Sequence, residues 1–214
     1  MGCGWQRPRQ LRANEVKRMT KKIMFNDKFC LTKAVLAGTK TMTRRVLRDN
    51  VPLGNWEETA KCLPYKVGEV VAIAQSYKDI YDEKCINFGK TEANIWWYDV
   101  IGTAIVPQSK KAGYVNKMFV KASLMPHHIR ITDVKVERLQ NISDDEILRE
   151  GIYPQRFFNK VEYVFATKGK MNNTPVHWLK TFPTPREAFA ALIDKISGKG
   201  TWESNPWVVA YSFE

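Results

Sequence analysis

Apolar positions along this 214-residue chain change their period several times, and each change marks an element. In DKFCLTKAVLAG, Leu31, Ala34 and Val35 share a helical face, and Gly38 suits the left-handed position just past a helix end. The β-branched stretch TKTMTRRVL then reads as entry into a strand. Gly54 to Pro64 reads as a loop, and YKVGEVVAIAQSY as a turn at Gly68 leading into a largely buried strand. Residues 79–116 fit neither period well. Their most strand-like part is IWWYDVIGTAIV, and KMFVKA after them predicts another short strand. In IRITDVKVERLQ, Ile129 and Ile131 alternate, then Val134 and Val136 alternate in the opposite phase. A one-residue slip near Thr132–Asp133 predicts a β-bulge, a device of curved sheets.

Two helix starts are written in full. In ISDDEILREGI, Ser143 is the N-cap, Glu146 closes a capping box, Ile142 can staple onto Ile147, and Gly151 stops the helix after barely two turns. In TPREAFAALIDKISG, Thr184 caps, Pro185 takes the first helical position and Glu187 the third. Phe189, Leu192, Ile193 and Ile196 form the expected buried stripe of that helix. The chain closes with WVVAYSFE, read as an alternating strand. Short strands, three short helices, one bulge and no βαβ rhythm predict an α+β fold built on a small curved barrel. Residues 154–183, bounded by prolines, read as an inserted hairpin and loop that elaborates the surface. The expectation is one domain over 23–214 with that insertion, preceded by a basic extension over 1–22 that carries no core pattern.

Charge changes this picture more than composition does. The 44% hydrophobic content suffices for one core, and the apolar runs are too short to span a membrane. The N-terminus has no apolar h-region, and Gln6 stands where a myristoylation site wants Ser or Thr. Cys3, Cys30, Cys62 and Cys85 form no Cys-x-x-Cys pair, so they read as free thiols and the chain as cytoplasmic. The formal net charge is +12, of which residues 1–48 carry +11 (13 Lys and Arg against 2 Asp and Glu), leaving +1 for the rest. A field that local attracts phosphate, and nucleic acid is the commonest phosphate-rich partner. For residues 1–22 a solvated tail, or a start codon upstream of the true one at Met19 or Met24, is an equal reading.

The sharpest motif is Gly38-Thr39-Lys40-Thr41-Met42-Thr43-Arg44-Arg45 at a helix end. With the later Gly68-Glu69 strand start, the short helix ending Glu150-Gly151 and the closing Asn205-Pro206-Trp207 strand, it resembles the ASCH family from about Lys22 onward. That resemblance implies a PUA-like β-barrel with short flanking helices, related to modules that bind RNA or modified bases. Some small members of the family are amidohydrolases that deacetylate N(4)-acetylcytidine with a Lys, a Thr three residues later and a Glu. Matched by position, these are Lys40, Thr43 and Glu150.

Local chemistry stands beside the resemblance. Lys40 and Thr43 would face opposite sides of a regular strand, but an irregular junction can bring both into one cleft. A threonine becomes a nucleophile only when a base takes its proton, and a desolvated lysine can serve. A backbone N–H near Gly38 is the candidate oxyanion donor. Glu150 sits in the last turn of its helix, where the macrodipole disfavours a carboxylate by about 0.3–1 kcal/mol and so favours a proton donor. The bland alternatives are a solvated Lys40, ordinary strand threonines, and a Glu150 paired on the surface with Arg149. Lys40, Arg44 and Arg45 are the candidate nucleic-acid contacts, with the two arginines forming a rim.

His127 and His128 are adjacent and cannot share a metal on a strand, His177 stands alone, and no Cys/His spacing exists; neither metal nor cofactor is expected. Trp96, Trp97 and Tyr98 read first as core, with base stacking the alternative. Gln75 has no assigned role. The combined reading is a protein that binds RNA or a modified nucleoside, not a membrane, and hydrolyses the acyl amide of N(4)-acetylcytidine; the alternatives are a non-catalytic RNA-binding module and an accessory or structural protein.

Overall fold

Short polar caps and glycines punctuate the chain. The computed structural model describes residues 21–102, 112–171 and 174–214. In chain order the elements begin with β1 (Lys22–Ile23), a 3₁₀ turn at Asp27–Phe29, α1 (Leu31–Leu36) and β2 (Met42–Val46). Then come α2 (Trp56–Cys62), β3 (Val70–Ile73), α3 (Tyr77–Phe88) and α4 (Lys90–Ile101). β4 (His128–Arg138), α5 (Asp144–Arg149), β5 (Tyr153–Phe157), β6 (Lys160–Met171) and β7 (Thr174–Phe182) follow, and α6 (Pro185–Ser197), α7 (Thr201–Ser204) and β8 (Trp207–Phe213) close the chain. The fold is mixed α+β. None of its described helices is long and apolar enough to cross a membrane.

Contacts divide the chain into two compact units. One takes the described part of 1–24 with 71–128, the other 25–70 with 129–214. In the first unit, β1 runs parallel to β3 in the register Lys22↔Ala72 and Ile23↔Ile73. Ser76 and Asp79 cap α3 reciprocally. Its core joins Tyr77, Ile80 and Tyr81 of α3 to Ala93, Trp97 and Ile101 of α4.

That helical pair corrects the strand expected at IWWYDVIGTAIV, whose residues 103–106 lie outside the described part. Ala93, Trp97 and Ile101 are spaced by four and buried, so one helical face outweighs the β propensity of the aromatic run. The strand expected at KMFVKA is also absent: two 3₁₀ turns stand there, at Lys117–Phe119 and Ala122–Leu124. The Lys22 ammonium donates to the carbonyls of Lys117, Met118 and Val120 at 2.9, 2.6 and 2.6 Å, supplying donors that a paired strand would otherwise supply.

In the second unit β8 is central, antiparallel to β2 on one side and to β4 on the other. The bulge expected near Thr132–Asp133 is present as a register shift between Ile131 and Asp133. β8 does not alternate. From Val208 to Phe213 every residue is buried, as befits a middle strand covered on both faces. The expected loop at 54–64 contains α2, whose Asn55 side chain accepts from the Glu57 N–H, with Glu57 and Glu58 in its first turn and Lys61 in its last. Thr184 caps α6 through the Glu187 N–H, and Phe189, Leu192 and Ile193 are buried, but Ile196 is exposed. β5, β6 and β7 form an antiparallel meander. It is anchored by Val164 and Phe165, both fully buried, with the Phe165 ring edge-on to Phe29. The strand pairings among the described residues form open sheets rather than a closed barrel.

Candidate functional site

α1 ends by turning its own last amides inward. Gly38 takes φ +73, its N–H donates to the Val35 carbonyl, and the N–H groups of Thr39 and Lys40 both donate to the Ala34 carbonyl. The expected oxyanion donor near Gly38 is therefore engaged in closing the helix. The chain then passes beneath the end of α5, where the Thr41 N–H donates to the Arg149 carbonyl at 2.9 Å and Arg149 Nε donates to Thr41 Oγ1 at 3.1 Å. This stitching carries Lys40 against Gly151. A Cβ there would lie 3.2 Å from Leu31 Cδ2 and 3.5 Å from Lys40 Cδ, and the φ of +95 at Gly151 also excludes an unstrained side chain.

Lys40 and Glu150 meet in the interior. Lys40 Nζ donates to Glu150 Oε2 at 2.6 Å, to the Glu150 carbonyl at 2.8 Å and to the Met42 carbonyl at 2.7 Å, which uses all three ammonium protons. The side chains are 2% and 5% exposed. Burial lowers the Lys40 pKa. The charge and hydrogen bond of Glu150 oppose that shift, while the positive charges of Arg44 and Arg45 add to it. Glu150 is thus not the surface partner of Arg149 but the C-cap residue of α5, turned into the core.

Arg44 completes a wider network, and its side chain is 0% exposed. Nη1 donates to Glu150 Oε1 at 3.1 Å, Nη2 to Glu146 Oε2 at 2.6 Å, and Nε and Nη2 to Glu137 Oε1 at 3.1 and 2.7 Å. Lys135 bridges Glu137 and Glu146 from the strand side. Three cations (Lys40, Arg44, Lys135) thus face three carboxylates (Glu137, Glu146, Glu150), so the charges balance. Burial pushes the Glu146 carboxyl up, but the Lys135 hydrogen bond, the Ser143 N–H and the Arg44 charge outweigh it and hold the group below the usual carboxylate range. A side chain so enclosed cannot form a phosphate-binding rim, which corrects the expectation for Arg44. Arg45 is half-buried, with its guanidinium 5.8 Å from the Tyr65 ring centroid.

Thr43 is placed differently. It pairs with Tyr211 across β2 and β8, on the face of β2 opposite Arg44. Among the described residues no hydrogen bond joins its hydroxyl to Lys40 or Glu150. The structure therefore brings Lys40 and Glu150 together and leaves Thr43 buried on the strand beside them.

Sequence reasoning missed Glu137, Lys135 and the second role of Glu146. Glu146 is legible as a capping residue, and its carboxylate does accept from the Ser143 N–H, yet the same group pairs with Arg44 and Lys135. The available signal was Lys135 and Glu137, two apart on β4 and so on one face.

In the other unit, buried Gln75 donates through Nε2 to Glu83 Oε2 at 3.1 Å, and His127 Nε2 lies 2.5 Å from Glu83 Oε1. Among the described residues no three His, Cys, Asp or Glu side chains could hold a metal ion. Cys30, Cys62 and Cys85 are free, and Cys3 lies outside the described residues. Trp97 is core, whereas Tyr98 is exposed on the same helix. No protein-family model, no curated protein and no solved structure matches this chain.

Proposed function

We propose that the unit containing Lys40 and Glu150 is an ASCH-type, PUA-like module that binds RNA or a modified nucleoside and hydrolyses the acyl amide of N(4)-acetylcytidine. The observation that carries this reading is the buried contact between Lys40 Nζ and Glu150 Oε2, two groups singled out by the motif and by the helix end. The bulged β4 beside β8 supports a curved sheet of the PUA-like kind.

The chemistry follows from desolvation. A buried ammonium–carboxylate pair can neutralise itself by moving one proton from Nζ to Oε2, which yields a free amine and a carboxylic acid in one step. The amine then takes the Thr43 hydroxyl proton as its oxygen attacks the acyl carbon. The acid gives its proton to the departing cytosine amine as the C–N bond breaks. Water then hydrolyses the acyl-threonine, releasing acetate and restoring the hydroxyl. The test is release of cytidine and acetate from N(4)-acetylcytidine, and its loss in Lys40→Met and Glu150→Gln.

A second reading, a binding module without catalysis, draws on two observations. All three Lys40 ammonium protons are already bonded, and Thr43 lies on the strand face opposite Arg44. In that case the ionic network is a strut between β2, β4 and α5. The protein would then bind the nucleoside and return it unchanged.

A further inference from the structure

Gly169 sits near the C-terminal end of β6 with no positive φ, so its backbone does not require glycine. A glycine in a strand interior costs stability and marks a place where something approaches the backbone closely. Here it is Trp178: a Cβ on Gly169 would lie 2.7 Å from both Cδ1 and Nε1 of the indole. The ring rests on the strand, and Trp178 is 48% exposed. His177, Trp178, Leu179 and Lys180 are consecutive and all exposed, so this part of β7 is open on both faces.

The same meander is cationic. Residues 153–182 contain Arg156, Lys160, Lys168, Lys170 and Lys180 against Glu162 alone, a net of +4. Residues 49–214 together carry +1, so the remainder of that stretch is −3. All five cations are exposed and none forms an ion pair among the described residues. Lys40 and Arg44, by contrast, are buried and consumed by carboxylates. Exposed charge that a phosphate backbone can reach is therefore present on the meander, whereas Lys40 and Arg44 of the motif offer none.

We propose that the β6–β7 ribbon is a binding surface for single-stranded RNA, with Trp178 stacking a base and Lys180 contacting a phosphate on the same face. Lys180 is two positions from Trp178 and shares its face, while Lys168 and Lys170 line the opposite face and add to the same field. A seated, half-exposed indole needs an unstacked base, which selects a single strand over a duplex. The surface is separate from the Lys40 centre and does not depend on catalysis there.

The test is fluorescence anisotropy of the full chain with a labelled twelve-nucleotide oligouridylate at several salt concentrations. Trp178→Ala is expected to weaken binding by about fivefold to a hundredfold. Gly169→Ala, which displaces the indole without removing it, is expected to weaken binding in the same direction. Lys180→Ala is expected to lower the slope of log affinity against log salt by about 0.7. Trp178→Ala should leave turnover of free N(4)-acetylcytidine unchanged, which separates failure of the ribbon from failure of the Lys40 centre. Wild-type protein that does not bind the oligonucleotide, variants that bind as tightly as wild type, or binding to anionic vesicles in place of RNA would each overturn the proposal.

Discussion

The Lys40 ammonium lies 2.6 Å from the Glu150 carboxylate across 110 positions of sequence, with neither side chain more than 5% exposed. Two ions withdrawn from water this far offset their desolvation through each other, through the Met42 and Glu150 carbonyls that take the other Lys40 protons, and through the Arg44 bond to Glu150. Removing one partner leaves the other charged and buried. Lys40→Met and Glu150→Ala should each destabilise the fold by about 3–5 kcal/mol, and the double variant by clearly less than their sum. Urea unfolding of the three variants measures this; strictly additive losses would mean that the two groups do not interact.

Arg44 yields the opposite expectation from an arginine on a nucleic-acid rim. Arg44→Ala should lower stability by about 3–5 kcal/mol while leaving the salt dependence of RNA binding as it is. Arg44→Lys should be nearly as damaging, because an ammonium cannot reproduce the planar fork that reaches Glu137, Glu146 and Glu150 together. A flattened salt slope in a normally stable Arg44→Ala protein would contradict this placement.

Glu146 carries a pH signature. Its folded pKa lies below the ordinary 4.5, so the unfolded chain takes up its proton first as pH falls. The stabilisation is complete above the unfolded value and is lost as pH drops through the folded one. The urea midpoints of wild type and Glu146→Gln should differ at pH 7 and converge as the pH falls below 4.5 and on through the lowered folded value. A gap that stays constant down to pH 3 would show that the carboxylate charge is not what stabilises.

Gly151 is a backbone requirement with a side-chain consequence. Gly151→Ala must hold φ near +95 and press its Cβ to 3.2 Å from Leu31 Cδ2, so a loss of more than about 1 kcal/mol is expected. Thermal unfolding checks it, and an unchanged midpoint would mean that the turn relaxes freely.

Local rules made part of this molecule legible. The Ser143–Glu146 box, the stop at Gly151, the glycine turn after α1 and the bulge after Ile131 each depend on a few neighbouring residues, and all are present. α3 and α4 were not legible, because IWWYDVI is β-prone in isolation and becomes helical only by burying Trp97 against Tyr81. The site divides the same way. Lys40 and Glu150 could be named from the motif and the helix end, but Glu137 and Lys135 join them only once β4 is laid beside β8. The distribution of charge along the chain pointed to residues 1–48; of these, 1–20 lie outside the described residues, and Arg44 spends its charge in the interior.

Turnover of N(4)-acetylcytidine by wild type and by Thr43→Ala, followed as release of cytidine, tests the central claim most directly. Wild type should release cytidine and acetate, and Thr43→Ala should be slower by about a hundredfold or more at an unchanged urea midpoint. A wild-type protein that binds the nucleoside and never releases cytidine would contradict the hydrolytic reading, and full activity in Thr43→Ala would remove the threonine as nucleophile.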